Sequence, residues 1–197
     1  YSLDGVYYNT NQYANANSGP AKWQQVSATL GLSLAPWRRQ GQHVLVCGQR
    51  DGGWSMKGVD MNQWLVNTVK QIRAHTHRDI LVRPHPRNPI DHRLFAGIPK
   101  VRFNRNTTLQ QDLSGAWASV FFNSSSCVAS ILAGVPVFAT DSDCVAWSVA
   151  DHDLAKLETP QLPDREPWLY DLSAAHWTDA ESQSGQIYQK FRQFLPA

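Results

Sequence analysis

Apolar residues along this chain gather in short unbroken runs stopped by glycine, proline or serine. Between the runs they recur at helical spacing. His43–Cys47 is a β-rich run ended by Gly48, and residues 79–83 form a second, closed by Pro84 and Pro86. Val101–Phe103 is a weaker third, Ala118–Phe122 a fourth and Val135–Ala139 a fifth. After the first run, Asp60 is placed to cap a helix whose apolar positions are Met61, Leu65, Val69 and Ile72. Leu109–Ala116 reads as a second helix, and 125–133 as a short third between the last two runs. Strands alternating with helices imply βαβ crossovers. The expected fold class is α/β: a Rossmann-like, mostly parallel sheet with flanking helices.

The pattern weakens on either side. Residues 1–42 read as an N-terminal extension or the remnant of a preceding domain, with one short helix at Lys22–Leu30. The chain begins at Tyr1 rather than Met, which suggests a fragment or a mature chain whose preceding half is missing. Residues 43–165 form the expected nucleotide-binding domain, in which 141–150 is a loop with a helical turn. A Pro- and charge-rich connector at 158–167 leads into C-terminal helices within 166–197, expected at 167–177 and 179–195 and packing back.

Composition narrows the function. With 197 residues, 42% of them hydrophobic, the chain can build one sizeable core. A net charge of +2 on scattered basic residues argues against a general polyanion binder. Cys47 and Cys127 lie in apolar elements and read as small buried hydrophobes, and neither they nor Cys144 has zinc-site spacing. An odd cysteine count without a framework favours a reducing compartment. With no signal peptide and no membrane-spanning run visible, a soluble, cytoplasmic protein is expected.

Three motifs carry candidate chemistry. Gln49–Gly58 directly follows the first strand and joins glycines with Arg50, Asp51 and Lys57. Glycines, beginning with Gly48, let backbone approach a phosphate, and the cations offset its charge. Without a ligand, the same stretch is a flexible βα loop with solvated charges. Arg83-Pro84-His85-Pro86 ends the second strand with a histidine held in a stiff turn, suited to donating to a phosphate or moving a proton. Otherwise His85 is a turn residue satisfied by nearby carbonyls. Ser124, Ser125 and Ser126 follow the fourth strand and start a helix, where hydroxyls and free backbone N–H groups would meet an anion. One serine suffices as a helix cap, so three are suggestive. Asp51 is the one carboxylate inside the glycine loop and the weak candidate for a chemical role beside His85. Asp141-Ser142-Asp143, just past the last strand, would either meet a ligand or cap a turn. The tail aromatics Trp168, Trp177, Tyr188, Phe191 and Phe194 read as packing residues.

Taken in order, these motifs resemble the carboxy-terminal, donor-binding half of glycosyltransferases of the two-Rossmann-domain (GT-B) type. Gly48-x-Arg50 with Lys57-Gly58 is similar to the loop that holds the nucleotide diphosphate in many of them. His85-Pro86 followed by Ser124-Ser125 is similar to the histidine–proline and serine motifs of bacterial sialyl- and Kdo-transferases and teichoic-acid polymerases. Ala133-Gly134-Val135-Pro136-Val137 resembles an ending shared with the sugar-nucleotide 2-epimerases. The combination QRDGGWSMKG with RPHP is also similar to phage-encoded glycosyltransferase-like proteins. The resemblance covers residues 43–141. It implies transfer of a sugar from a nucleotide-sugar substrate, without a metal or other cofactor, to an unknown acceptor. That acceptor is a glycan or, on the phage kinship, a modified nucleic acid. The donor phosphate would be met by Gly48, Arg50, Lys57, Arg83, His85 and Ser124–Ser126. Many relatives carry a ribose-binding Glu in the helix before the Gly-x-Pro element, where this chain has Ala129-Ser130. A sugar-nucleotide epimerase and a non-catalytic nucleotide-binding or assembly module are the alternatives. Oligomeric state is not readable from the residues.

Overall fold

A computed structural model describes residues 18–104 and 106–192, and the chain divides into two compact units. One is Leu34–Pro163. The other is formed by the described parts of Tyr1–Ser33 and Asp164–Ala197. In the latter, α1 (Ala21–Leu30) packs against α5 (Glu166–Ala174), and α6 (Asp179–Gln183) and α7 (Gln186–Phe191) follow. The expected single helix over 179–195 is broken because Gly185 adopts φ +78° and starts α7 afresh. Its last expected residues, and Phe194, lie outside the described part. Trp168 and Phe191 are buried, whereas Tyr188 is exposed.

The larger unit holds five strands: β1 (His43–Cys47), β2 (Asp79–Arg83), β3 (Val101–Phe103), β4 (Ala116–Phe121) and β5 (Val137–Ala139). All pair in parallel, in the order β3-β2-β1-β4-β5. The chain runs outward from β1 to β2 and β3, then returns to lay β4 on the other side of β1. Right-handed crossovers made in opposite directions place α2 (Met61–His75) and α4 (Cys127–Leu132) on opposite faces. Strand alternation divides the core to match. Val44, Val46, Ile80, Val82 and Val120 pack with Met61, Trp64, Leu65, Val69 and Ile72 of α2. Leu45, Cys47 and Phe121, one residue out of step, face the other way and are also buried. Burying each such Val or Leu contributes about 1.5–3 kcal/mol. The α2 cap is as expected, with Asp60 Oδ1 accepting from the Gln63 N–H at 2.7 Å.

Boundaries shift where long-range hydrogen bonds intervene. Ala116, expected to end a helix, opens β4 instead, two residues before the expected strand start at Ala118, and α3 (Leu109–Ser114) stops before Gly115. Arg38 Nη1 donates to the carbonyls of Leu113 and Ala116, capping the helix end from outside. Residues 34–42, expected with the N-terminal extension, hydrogen-bond within the sheet unit. The Ala35 and Arg38 N–H groups donate to the Leu132 and Gly134 carbonyls at 2.9 and 2.6 Å. The expected β5 start at Val135 moves to Val137. Pro136 has no N–H, and the Val135 N–H donates to Ser130. Gly134 has φ +72°, and a Cβ there would lie 2.1 Å from the Pro36 carbonyl oxygen. The glycine of the Gly-x-Pro element is thus required by packing. Among the described residues no helix is long and apolar enough to cross a membrane.

His43 opens β1 buried, its Nε2–H donating to the Asp112 carbonyl at 2.9 Å. Burial holds its pKa below the ordinary 6.5. A base with a depressed folded pKa binds a proton more readily when unfolded, so acidification through 6.5 removes stability. We expect the denaturant midpoint to fall between neutrality and pH 5, and His43→Gln to flatten that dependence; an unchanged pH profile in the variant would exclude His43 as its source. Gly134→Ala should cost about 2–3 kcal/mol through left-handed strain and displacement of Pro36. An unaltered melting temperature would refute that account of the glycine.

Candidate functional site

Winding reverses between β1 and β4, and open α/β sheets bind ligands at such a switch point, beyond the carboxyl ends of the strands. The loops after β1, β2 and β4 bring the predicted motifs to this edge. Its floor is made of amides. The buried Gln49 side chain donates through Nε2 to Asn123 Oδ1 at 2.9 Å and to Ser55 Oγ at 3.1 Å. Asn123 Nδ2 donates to the Ser55 carbonyl at 2.7 Å and to Asp141 Oδ1 at 3.1 Å. Gln49 and Asn123 thereby staple the segments that follow β1, β4 and β5. Sequence reasoning missed both, because neutral amides carry no charge signature. Their one signal is position, each standing just beyond an apolar run.

The glycine loop is anchored rather than flexible. Met56 is buried in the core, at the end of a short 3₁₀ turn over Trp54–Met56. Lys57 follows at φ +52°, a left-handed conformation costing about 1 kcal/mol for a residue with a side chain. The lysine is clasped by the carboxylates of Asp143 and Asp141, the latter at 3.0 Å. Those two acids raise its pKa and keep it charged. Its charge, expected to face a ligand phosphate, is met by the Asp141-Ser142-Asp143 turn. Arg83 is likewise engaged. Its Nη1 donates to Asp112 Oδ2 at 2.6 Å and to the Thr107 carbonyl at 2.8 Å. Asp112 is buried and also accepts from Asn104 Nδ2 at 2.6 Å and from the Thr107 hydroxyl. This cluster ties the end of β2 to α3. Asp51 Oδ1 accepts from the Gly52 N–H at 3.0 Å, capping its own turn. Arg50 and Arg87 are exposed and have no acidic partner among the described residues.

His85 is partly buried, and its Nδ1 accepts from the Arg87 N–H at 3.1 Å. With Nδ1 as acceptor, the neutral ring carries its proton on Nε2, ready to donate. The turn lies beside the glycine loop, since the Asp51 N–H donates to Asn88 Oδ1 at 3.3 Å. In the serine turn, Ser124 Oγ and Ser126 Oγ are 2.8 Å apart, and Ser125 is exposed. The expected free N–H groups are fewer than the pattern implied. Those of Cys127, Val128 and Ala129 donate at 3.1 Å to the carbonyls of Ser124, Ser125 and Ser126, tightening the helix start into successive i→i+3 turns. The hydroxyls remain the turn's candidate ligand groups. Beside this edge, a cavity of about 360 Å³ lies along the first turns of α2, lined by Asp60, Trp64, Phe122 and Thr140 among others. No three His, Cys, Asp or Glu side chains converge to hold a metal among the described residues.

No family model matches this chain, and no curated protein matches it either. Among solved structures, it is similar to the β-Kdo 2,7-transferase of Thermosulfurimonas dismutans KpsC, at 17% identity and a TM-score of 0.59. That match covers 97% of this chain and 70% of the other. The β-Kdo 2,4-transferase of the same KpsC matches at 15% identity and a TM-score of 0.55, over 88% of this chain and 63% of that one. The α/β Rossmann-like fold is therefore one that glycosyltransferases use. Neither likeness bears on the resemblance to phage proteins.

The Arg83–Asp112 contact reads as a structural clip, which a double-mutant cycle can test. Arg83→Met and Asp112→Asn should each cost about 2–3 kcal/mol, less than a fully buried pair because the Arg83 side chain keeps 22% exposure. The double variant should lose less than the sum, with a coupling of about 1 kcal/mol or more. Additive losses in urea unfolding would show that the two residues do not support each other.

Proposed function

We propose that this chain is the donor-binding half of a nucleotide-sugar-dependent glycosyltransferase. The observation that carries the reading is the convergence of three donor groups on the switch point of a parallel sheet. These are the anchored glycine loop with Arg50, the His85 turn and the Ser124–Ser126 hydroxyls. The likeness in fold to the two KpsC transferases supports it, and through their names it points to a glycan acceptor.

Charge pairing refines the donor. Lys57 is matched by two carboxylates and Arg83 by one, so neither is a spare charge for a second phosphate. Arg50 and the Nε2–H of His85 suit a single phosphate, and we take the donor to be a sugar on a nucleoside monophosphate. As the bond from sugar to phosphate breaks, negative charge builds on the phosphate. Hydrogen bonds from His85, the serines and Arg50 strengthen with that charge, which is how this half would lower the barrier without a metal. Trp54, 89% exposed on the same loop, offers an aromatic face to the base or sugar. Epimerase chemistry would need two available carboxylates. Asp141 and Asp143 hold Lys57, and Asp51 caps its turn.

A thermal-shift series tests this, using mono- and diphosphates of cytidine, uridine and guanosine on the wild type, His85→Ala and Arg50→Ala. A monophosphate at 100 times its dissociation constant should add about 2.7 kcal/mol to the wild type. Both variants should lose most of that gain. A diphosphate that stabilises better would discard the single-phosphate refinement alone. Failure of every nucleotide, or equal shifts in the variants, would remove the donor site. Binding without turnover or slow hydrolysis of any donor, Kdo-type sugars offered first, would favour the non-catalytic module.

A further inference from the structure

Cys127 opens α4 and Cys144 lies in the segment after β5, yet their Sγ atoms stand 3.8 Å apart, and neither side chain reaches solvent. Nothing in the spacing of these cysteines announced the pair. The third cysteine is a built-in contrast: Cys47 lies in β1, where burial pushes its thiol up to about 12. Within the pair, the contact with Cys127 holds Cys144 below the ordinary thiol value, while the same contact and burial raise Cys127. Two thiols in contact are the arrangement from which an oxidised thiol and its resolving partner close a disulfide. Ser125 and Ser142, each two positions from a cysteine, are exposed.

We propose that Cys127 and Cys144 are a site of reversible oxidative modification, forming an internal disulfide with hydrogen peroxide as the oxidant. The Cys144 thiolate attacks one peroxide oxygen and breaks the O–O bond. Sulfur becomes a sulfenic acid, and the expelled hydroxide takes up the proton that Cys144 released. Cys127 sulfur then attacks the sulfenic sulfur. Its thiol proton leaves with the displaced hydroxyl as water. Two thiols and one peroxide give one disulfide and two waters. The sulfurs close from 3.8 Å to about 2.05 Å, a movement within the reach of side-chain rotation and a small loop adjustment. The bond would tie the serine turn to the segment whose Asp141 and Asp143 hold Lys57, joining two walls of the candidate site.

The reduced protein is treated with hydrogen peroxide, quenched with catalase, unfolded in an alkylating agent and mapped by mass spectrometry. The expected product is a peptide pair linked through Cys127 and Cys144, lighter by two hydrogens, with Cys47 alkylated. Dithiothreitol should return three alkylated cysteines, and the oxidised protein should melt at a higher temperature than the reduced one. Cys47→Ser should keep the cross-link, and Cys127→Ser and Cys144→Ser should each abolish it. Three alkylated cysteines after peroxide, over-oxidised acids without a link, or a link through Cys47 or between chains would each overturn the proposal.

Discussion

Parallel strands cannot be joined by a tight turn, so every connection in this sheet must cross one of its faces. Much else in the larger unit follows from that constraint. Crossing chains become helices, both faces are covered, and the central strand becomes wholly buried, as all five residues of β1 are. Because the winding reverses at β1, the loops after β1 and β4 diverge to opposite faces and leave a crevice between their first residues. Backbone groups in that crevice lose their ladder partners. The Gln49 and Asn123 amides satisfy part of what the ladder no longer can, and in doing so they set the shape of the floor.

Legibility in the sequence tracks how local the cause is. β1, β2 and β3 fall where their apolar runs predict, since the run itself is what a doubly covered strand requires. The Asp60 cap was readable for the same reason: donor and acceptor stand three residues apart. The start of β4 was not, because it is set by Arg38, which reaches Leu113 and Ala116 across more than seventy residues of chain. In the tail, Gly185 was visible, but its positive φ was not.

For the candidate site, the strand-end placement of its residues was readable and the state of the charges was not. Gly48, His85 and Ser124–Ser126 declare themselves by standing at strand ends, which is a property of sequence order. Whether Arg83 or Lys57 is available to a ligand depends on partners 29 and 84 positions away. The glycine loop shows the same limit. Its glycines suggested mobility, while Met56 pins it to the core through contacts that no local pattern encodes.

The segment after β5 then matters more to the site than its plain sequence suggests. Asp141 accepts from Asn123 and from Lys57, so one carboxylate binds both the amide floor and the glycine loop. Three residues on, Cys144 meets Cys127 beneath the serine turn. A displacement of this single segment would release Lys57 from its acids, loosen Asn123 and alter the support under Ser124–Ser126 together. The charge this edge presents is therefore set by contacts from a neighbouring segment as much as by composition. With the segment in place, the edge offers neutral donors and Arg50.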